Sequence, residues 1–318
     1  MAIDSRARPG RVTGTLAILT LAGGMLAACT GQTAATASPS AGSAEPSPSA
    51  SESASAPAGG SPSASAATLQ ELQIEAKDFA FDAPTTISAG PTRITVNNTG
   101  QEDHQAQVAA IVEGKTFEDL TAALQQPDPA AALQLLTLAG GPTGVAPGGS
   151  VSTSTNLAPG QYAFLCFVES ADGVPHLAKG MVGRLEVTGT AVDTPLPAGD
   201  AEVALQDFAF VGLESLSPGQ HTVSVTNKGP QPHEATLVKL NEGVSVDQVR
   251  AAFTSTEPSS GPPPWTSAGG IAGIAADGTA TMEVDVEAGE YALICFVPDP
   301  ASGAPHAALG MVGGLTVQ

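Results

Sequence analysis

Beyond residue 68, apolar and polar positions alternate over short stretches, which is the pattern of β-strands. The stretches "RITVNN" at 93–98, "HTVSVTN" at 221–227 and "VSTSTNL" at 151–157 all alternate in this way. The stretch "YAFLCFV" at 162–168 is nearly continuously apolar, as expected of a buried strand. Glycine and proline separate these stretches. Many short strands within roughly 120 residues predict a β-sandwich or barrel.

Two stretches break the strand pattern and predict short helices. The stretch "TFEDLTAAL" begins at Thr116, and "SVDQVRAAF" begins at Ser245. In both, a Ser or Thr is followed three residues later by Asp or Gln, which is a capping-box pattern. We therefore expect one helix in the middle insertion of each half.

The sequence repeats itself at a nearly constant offset. The motif "DFAF" begins at Asp78 and again at Asp207, which is 129 residues later, and Cys166 and Cys295 are separated by the same offset. After the cysteines, the second copy has one additional residue. A fixed period of this kind indicates two copies of one structural unit.

These patterns predict an all-β fold class with two tandem domains, each a β-sandwich or barrel. The predicted boundaries are 68–188 for the first domain, 189–199 for a linker and 200–318 for the second domain. Each domain is expected to carry one short helix.

The N-terminal region has the layout of an export signal. Three arginines precede an apolar run at 12–28, which is typical of a signal peptide over 1–28. The run ends "LAAC", which resembles the lipobox of bacterial lipoproteins, and this resemblance implies that Cys29 is lipidated. The alternative is ordinary cleavage near an A-x-A site with Cys29 incidental. After Cys29, residues up to 67 are rich in Ala, Ser, Pro, Gly and Thr, which predicts a disordered tether.

The chain is strongly acidic, and this restricts its partners. The formal net charge is −20 at pH 7. Such a charge argues against nucleic acid and anionic lipid surfaces as partners, and it favours basic proteins or cations.

Each half contains the same set of four candidate metal ligands in the same order. The chain has only five histidines and three cysteines. The repeated set is a histidine, a cysteine, a second histidine and a methionine, namely His104, Cys166, His176 and Met181 in the first half and His233, Cys295, His306 and Met311 in the second. A thiolate with two imidazoles and a weak axial thioether is the ligand set of blue copper sites. We therefore predict two copper ions, one per domain.

Alternative roles for these residues stay open at the level of the sequence. Structural zinc more often uses closely spaced pairs of cysteines and does not recruit methionine. A catalytic Cys–His pair has no use for the repeated methionine. A disulfide between Cys166 and Cys295 is possible in an exported protein, and each residue taken singly is compatible with core packing.

The ligand motifs resemble those of the cupredoxins, the type 1 copper family, and this resemblance implies that the two tandem domains are Greek-key β-sandwiches. The family's Tyr-x-Phe-x-Cys strand is matched by Tyr162, Phe164 and Cys166, and the second copy has leucine in place of the phenylalanine. The closing stretches "PHLAKGMVG" and "PHAALGMVG" are similar to the copper loop of copper nitrite reductases. The resemblance implies that each cysteine and its two histidines form the copper plane, that the methionine is axial, and that His176 and His306 are the exits for electrons. The nine and ten residues between the cysteine and the second histidine exceed the spacing of small cupredoxins.

The sequence argues against a multicopper enzyme. Such enzymes have histidine beside the copper cysteine, whereas the neighbours here are Leu165 and Phe167 in one copy and Ile294 and Phe296 in the other. Only His221 remains for any further metal.

The predicted function is transfer of single electrons between exported redox proteins with basic docking surfaces. The predicted location is the extracytoplasmic side of a bacterial membrane, in the periplasm or on the outer face of the cytoplasmic membrane. The alternatives are copper capture or delivery without redox turnover, and a metal-free structural sandwich.

Overall fold

The computed structural model describes residues 69–126, 130–191, 194–255 and 261–318. The predicted signal peptide, Cys29 and tether lie outside the described residues. The described residues all belong to one compact unit, Pro62–Gln318. Within these ranges, no helix is long and apolar enough to cross a membrane.

The first half contains nine strands and two short helices. The strands are β1 (Gln70–Lys77), β2 (Ala80–Asp82), β3 (Thr86–Ser88), β4 (Gly90–Asn98), β5 (Gln107–Ile111), β6 (Leu136–Leu138), β7 (Ser150–Leu157), β8 (Gly160–Leu165) and β9 (Val182–Thr188). The helices are α1 (Phe117–Leu124) and α2 (Ala130–Leu133), and a 3₁₀ turn covers His176–Lys179.

The second half repeats this order with one helix. Its strands are β10 (Ala201–Gln206), β11 (Ala209–Val211), β12 (Ser215–Leu216), β13 (Gly219–Asn227), β14 (His233–Leu240), β15 (Trp265–Ile274), β16 (Thr279–Val286), β17 (Gly289–Ile294) and β18 (Val312–Val317). The helix is α3 (Val246–Thr254), and a 3₁₀ turn covers His306–Leu309.

In each half, two sheets pack face to face around an apolar core. In the first half, the order β2-β1-β4-β7 faces the sheet β3-β9-β8-β5-β6, and the second half repeats it as β11-β10-β13-β16 facing β12-β18-β17-β14-β15. The first core is built by alternate residues of facing strands, such as Ile74, Ile94 and Phe164, which have no exposed surface. The predicted all-β fold of two sandwich domains with short helices is confirmed.

Both predicted helix starts are confirmed by complete capping boxes. The Thr116 hydroxyl accepts a hydrogen bond from the Asp119 N–H, and the Ser245 hydroxyl accepts one from the Gln248 N–H. In return, the side chains of Asp119 and Gln248 accept from the backbone N–H groups of the two cap residues. The short helix α2 has no counterpart among the described residues of the second half.

The two halves are joined into one continuous sheet, which the sequence did not predict. Strand β7 pairs with β16, so that the first sheets of both halves form a single eight-stranded sheet. Beside this junction the guanidinium of Arg93 donates to both carboxylate oxygens of Glu283, at 2.6 and 2.5 Å. Backbone hydrogen bonds add a second junction, in which Ala272 N–H donates to the carbonyl of Gly141.

Candidate metal centres

The loop after strand β8 brings Cys166 and His176 together. Cys166 directly follows β8, and the loop folds back so that Leu177 N–H donates to the Cys166 carbonyl at 2.8 Å. Gly180 ends the 3₁₀ turn with a φ of 101°, a conformation that glycine adopts without penalty. The chain then returns along Cys166, whose N–H donates to the Met181 carbonyl at 3.4 Å.

The second copy has the same loop in spite of its additional residue. Ala307 N–H donates to the Cys295 carbonyl, and Cys295 N–H donates to the Met311 carbonyl, at 2.8 and 3.3 Å. The additional residue is taken up at the tip of the loop, where Asp299 N–H bonds the Ala304 carbonyl. The longer loop therefore leaves the backbone around the ligands unchanged.

The first histidine of each site is held by a buried asparagine and a glycine. The Asn98 amide donates hydrogen bonds to the carbonyls of Glu102 and Val145. These two bonds tie the loop before His104 to the sandwich. A Cβ at Gly100 would lie 2.7 Å from His104 Nε2, so only glycine fits. Asn227 and Gly229 take the same places beside His233.

In the first site, three ligand atoms converge in the core. The Sγ atom of Cys166 lies 3.9 Å from His104 Nδ1 and 3.4 Å from His176 Nδ1. The two Nδ1 atoms are 3.1 Å apart. All three side chains have no exposed surface.

The second site has nearly the same dimensions. The Sγ atom of Cys295 lies 4.0 Å from His233 Nδ1 and 3.4 Å from His306 Nδ1. The two Nδ1 atoms are 2.9 Å apart. These three side chains are also fully buried.

The outer nitrogen of each histidine donates to a neighbouring side chain. In the first site, His104 Nε2 lies 3.2 Å from Asp78 and His176 Nε2 lies 2.9 Å from Glu102. An ionised carboxylate only accepts hydrogen bonds, so Nε2 carries the proton and Nδ1 keeps a lone pair. The backbone N–H groups of Gln101 and Glu102 and the imidazole of His104 hold the pKa of Asp78 below its usual value.

The second site keeps one of these partners and changes the other. His233 Nε2 lies 2.6 Å from Asp207, as His104 does from Asp78. His306 Nε2, however, lies 3.2 Å from the amide oxygen of Gln231. The second histidine is thus paired with a carboxylate in one site and with an amide in the other.

Burial favours the neutral imidazole in His104, His233 and His306 and keeps both thiols protonated in the absence of a cation. Burial lowers the pKa of His104, and the nearby His176 lowers it further. Burial likewise lowers the pKa of His233 and of His306. Burial raises the pKa of Cys166 to about 11 and, together with Glu234, raises that of Cys295. A bound cation reverses the effect on the thiols, since a coordinating thiol is deprotonated outright.

This arrangement fits a copper ion. Two neutral imidazoles direct lone pairs at each other and at one sulfur within about 4 Å, and lone pairs at such distances repel unless a cation lies between them. The sulfur is also approached by a backbone N–H, from Gln105 at 3.5 Å in the first site and from Glu234 at 3.4 Å in the second. A thiolate with two imidazoles is a ligand set that suits copper.

The two methionines lie in the same cores as the cysteines. Met181 and Met311 have no exposed surface, and each belongs to the apolar cluster that contains the cysteine of its own site. Each is also tied through its backbone to the second histidine: Met181 N–H donates to the His176 carbonyl at 3.0 Å, and Met311 N–H donates to that of His306 at 2.9 Å.

His176 and His306 do not reach the surface, although the family resemblance assigned them as electron exits. Both have no exposed surface, and their outer nitrogens are covered by Glu102 and Gln231. The rings of Phe79 and Phe208 pack against them with centroid distances of 5.1 and 4.9 Å.

Several residues of the sites were not identified from the sequence. Asp78 and Asp207 begin the two "DFAF" repeats, so the repeat alone could have pointed to them. Glu102 and Gln231 carry no such signal, because they differ between the copies. Glu234 was not identified either; it is buried, its carboxylate accepts a hydrogen bond from Phe296 N–H, and burial raises its pKa to about 7.

The part of the chain that the structure describes offers no other metal centre. The two His-Cys-His groups are the only clusters of His, Cys, Asp and Glu there whose ligand atoms converge. Cys166 and Cys295 are both free and buried, which excludes the disulfide alternative. His221 lies elsewhere on β13, where its Nδ1 is 2.6 Å from Asp200.

No protein-family model matches the chain, and no curated protein matches it. Among solved structures, the blue copper protein auracyanin A from Chloroflexus aurantiacus is similar at 25% identity, over 37% of this chain and 96% of that one, with a TM-score of 0.26. A copper-containing nitrite reductase from Thermus scotoductus SA-01 is similar at 14% identity, over 78% of this chain, with a TM-score of 0.22. The chain spans 61% of the length of that enzyme. A copper nitrite reductase from Nitrosomonas europaea is similar at 17% identity, over 79% of this chain and 94% of that one, with a TM-score of 0.22.

The assignment of the sites rests on their own residues: two buried imidazoles, one thiol and one methionine, repeated with the same connections in two sandwich domains. The protein therefore has two His-Cys-His-Met type 1-like copper sites, one in each of its two β-sandwich domains.

Proposed function

We propose that the protein transfers single electrons between extracytoplasmic redox proteins, through two type 1-like copper sites. In this proposal, Cys166 and Cys295 supply the thiolates, the four buried histidines complete the planes, and Met181 and Met311 are axial ligands. Copper bound by such a set alternates between Cu(I) and Cu(II).

The proposal rests mainly on one observation: hydrogen bonds within the protein already hold the ligand side chains in position, so a metal is not needed to bring them together. The Nε2 atoms of the four histidines are anchored to Asp78, Glu102, Asp207 and Gln231. The backbone of each cysteine is fixed by hydrogen bonds to both ends of the loop, and a backbone N–H approaches each sulfur. A ligand set that moves little when the metal changes its charge lowers the reorganisation cost of electron transfer.

Burial favours electron transfer over copper delivery. A delivery protein must let the ligands of an incoming partner reach the metal, whereas all six His and Cys side chains have no exposed surface. Electrons, unlike metal ions, cross a layer of side chains without opening it.

Catalysis at a second type of copper centre is not part of the proposal. The described residues contain only the two His-Cys-His groups, and no histidine flanks either cysteine. The acidic charge of the chain supports partners with basic docking surfaces.

Voltammetry of the copper-loaded protein, followed by a challenge with a Cu(I) chelator, tests the proposal. We expect a reversible one-electron response from each site and retention of copper after reduction. Rapid transfer of copper to the chelator on reduction would instead identify a capture or delivery protein, and failure to bind copper would identify a metal-free sandwich.

We further propose that lipidation of Cys29 holds the protein on a bacterial membrane. The support is the stretch "LAAC" at the end of the apolar run. The wild-type chain is expected to incorporate a fatty-acid precursor and to partition with membranes, whereas Cys29→Ser should remain unlabelled. Equal labelling of both chains would exclude this anchor.

A further inference from the structure

The junction between the two domains lies beside both candidate copper sites. On the first-domain side, Gln107 of β5 is the antiparallel partner of Leu165, the residue before Cys166. On the second-domain side, Ile274 of β15 is the antiparallel partner of His233. Gly273, the residue before Ile274, faces the first domain, and its carbonyl accepts from Gly140 N–H at 2.9 Å.

The side chain of Gln107 crosses this junction. Its Nε2 atom lies 2.9 Å from the carbonyl oxygen of Gly273 in the second domain, and 2.9 and 3.1 Å from those of Val108 and Gly140 in its own domain. Only 2% of Gln107 is exposed, so no water competes for these hydrogen bonds. The approach is close: a Cβ at Gly273 would lie 2.6 Å from Leu138 Cδ1 and 2.9 Å from Gln107 Oε1, so a larger residue would displace the side chains of the first domain.

Gln107 is not required by the fold of a single domain. Its counterpart at the 129-residue offset is Thr236, which likewise pairs with the residue before the cysteine of its own site. The hydroxyl of Thr236 has no hydrogen-bond partner among the described residues. A short side chain thus suffices at this position of β14, and the amide that bonds the other domain occurs only in the first copy.

We propose that Gln107 connects the two copper sites electronically, so that an electron received at one domain passes to the other within the same chain. The connection runs from Cys166 through Leu165 and its partner Gln107, across the hydrogen bond to Gly273, and through Ile274 to His233. Covalent and hydrogen bonds couple redox centres more strongly than gaps of the same length. One electron leaves the reduced site and enters the oxidised site, and no proton moves. This inference rests on the proposed function, since both sites must hold copper.

The test is pulsed reduction of the copper-loaded full chain with less than one equivalent of a reducing radical. It is done in a Met311→Gln background, because a change of axial ligand separates the spectra and potentials of the two sites. After the first reduction, we expect the absorption of the reduced site to recover while that of the other site is lost, because the electron passes from one copper to the other. The rate of this phase should not depend on protein concentration. Gln107→Thr, which installs the residue of the other copy, should slow this phase several-fold.

Two further measurements separate an electronic role from a structural one. Arg93→Met removes an inter-domain contact away from Gln107 and should leave the rate nearly unchanged, whereas equal slowing by both variants would show that loosening of the junction is the cause. In the metal-free chain, the Gln107 side-chain amide protons should exchange slowly with solvent, and fast exchange would remove the premise of the connection.

The outcomes also distinguish this inference from the proposed function. Failure to bind two copper ions would overturn the proposed function itself. If both sites bind copper and give reversible responses, but redistribution depends on protein concentration, only the connection through Gln107 is overturned.

Discussion

At the scale of single residues, the two sites differ most at the side chain that covers the second histidine. His176 donates to the carboxylate of Glu102, whereas His306 donates to the amide of Gln231. A carboxylate partner raises the basicity of a ligand imidazole and places negative charge near the metal. Both effects favour Cu(II) over Cu(I).

We therefore expect Glu102→Gln to raise the potential of the first site and Gln231→Glu to lower that of the second. Redox titration of each variant, with the other site removed by Cys295→Ser or Cys166→Ser, measures the shift directly. Unchanged potentials in both variants would mean that the outer hydrogen bond does not tune the metal.

The buried carboxyl group of Glu234 is expected to make the free energy of unfolding depend on pH. Burial raises its pKa from 4.5 to about 7, so the folded state holds a proton that the unfolded state releases above pH 4.5. The contribution of Glu234 to stability therefore falls as the pH rises from about 4.5 to about 7 and levels off above. The pKa shift corresponds to a loss on the order of 3 kcal/mol for the metal-free chain, as an upper bound.

Urea unfolding of the metal-free chain between pH 4.5 and 8 measures this effect. Glu234→Gln, which installs the residue found as Gln105 in the first site, should remove most of the loss. Glu242→Gln, a change at an exposed acid of the same domain, is the matched control. A pH dependence equal in wild type and Glu234→Gln would contradict the assignment.

At the scale of elements, the helix starts are set by local sequence. The Ser245 hydroxyl accepts a hydrogen bond from the Gln248 N–H at 3.3 Å, and the Gln248 side-chain oxygen accepts one from the Ser245 N–H at 2.8 Å. Removing such a cap costs about 1 kcal/mol.

Ser245→Ala is therefore expected to lower the unfolding free energy by about 1 kcal/mol, while Ser245→Thr, which keeps the oxygen, should retain most of it. Chemical denaturation of both variants is the measurement. Equal stability of Ser245→Ala and wild type would show that the cap contributes nothing in this context.

The elements that could be predicted are those whose signals are local or repeated. Strands such as β4, β7 and β13 follow from alternation, helices α1 and α3 from capping boxes, and the ligand sets from their recurrence in both halves. Glu102 and Gln231 could not be found in this way, because they differ between copies and reach the histidines only through loop geometry. The burial of Glu234 also depends on packing that no local pattern encodes.

At the scale of the whole molecule, the two domains form one body. Strand β7 pairs with β16, and the Arg93–Glu283 ion pair lies across the same junction. The sequence predicted two domains on a linker, because pairing between strands of different repeats leaves no periodic signal along the chain.

Because one sheet runs through both domains, we expect the metal-free chain to unfold in a single calorimetric transition. The calorimetric enthalpy should then equal the van't Hoff enthalpy. Arg93→Met should weaken this coupling and lower the transition temperature. Two separate transitions in the wild-type chain would indicate that the domains unfold independently.

Each domain is expected to hold one copper ion through its own cysteine and histidines. Metal analysis combined with visible absorption of the copper-loaded chain tests it most directly. We expect two copper ions per chain with intense thiolate-to-copper absorption, loss of one ion and of one site's absorption in Cys166→Ser, and loss of both in the double variant with Cys295→Ser. Binding of zinc alone after copper loading, or absorption that is unchanged in both cysteine variants, would contradict the account.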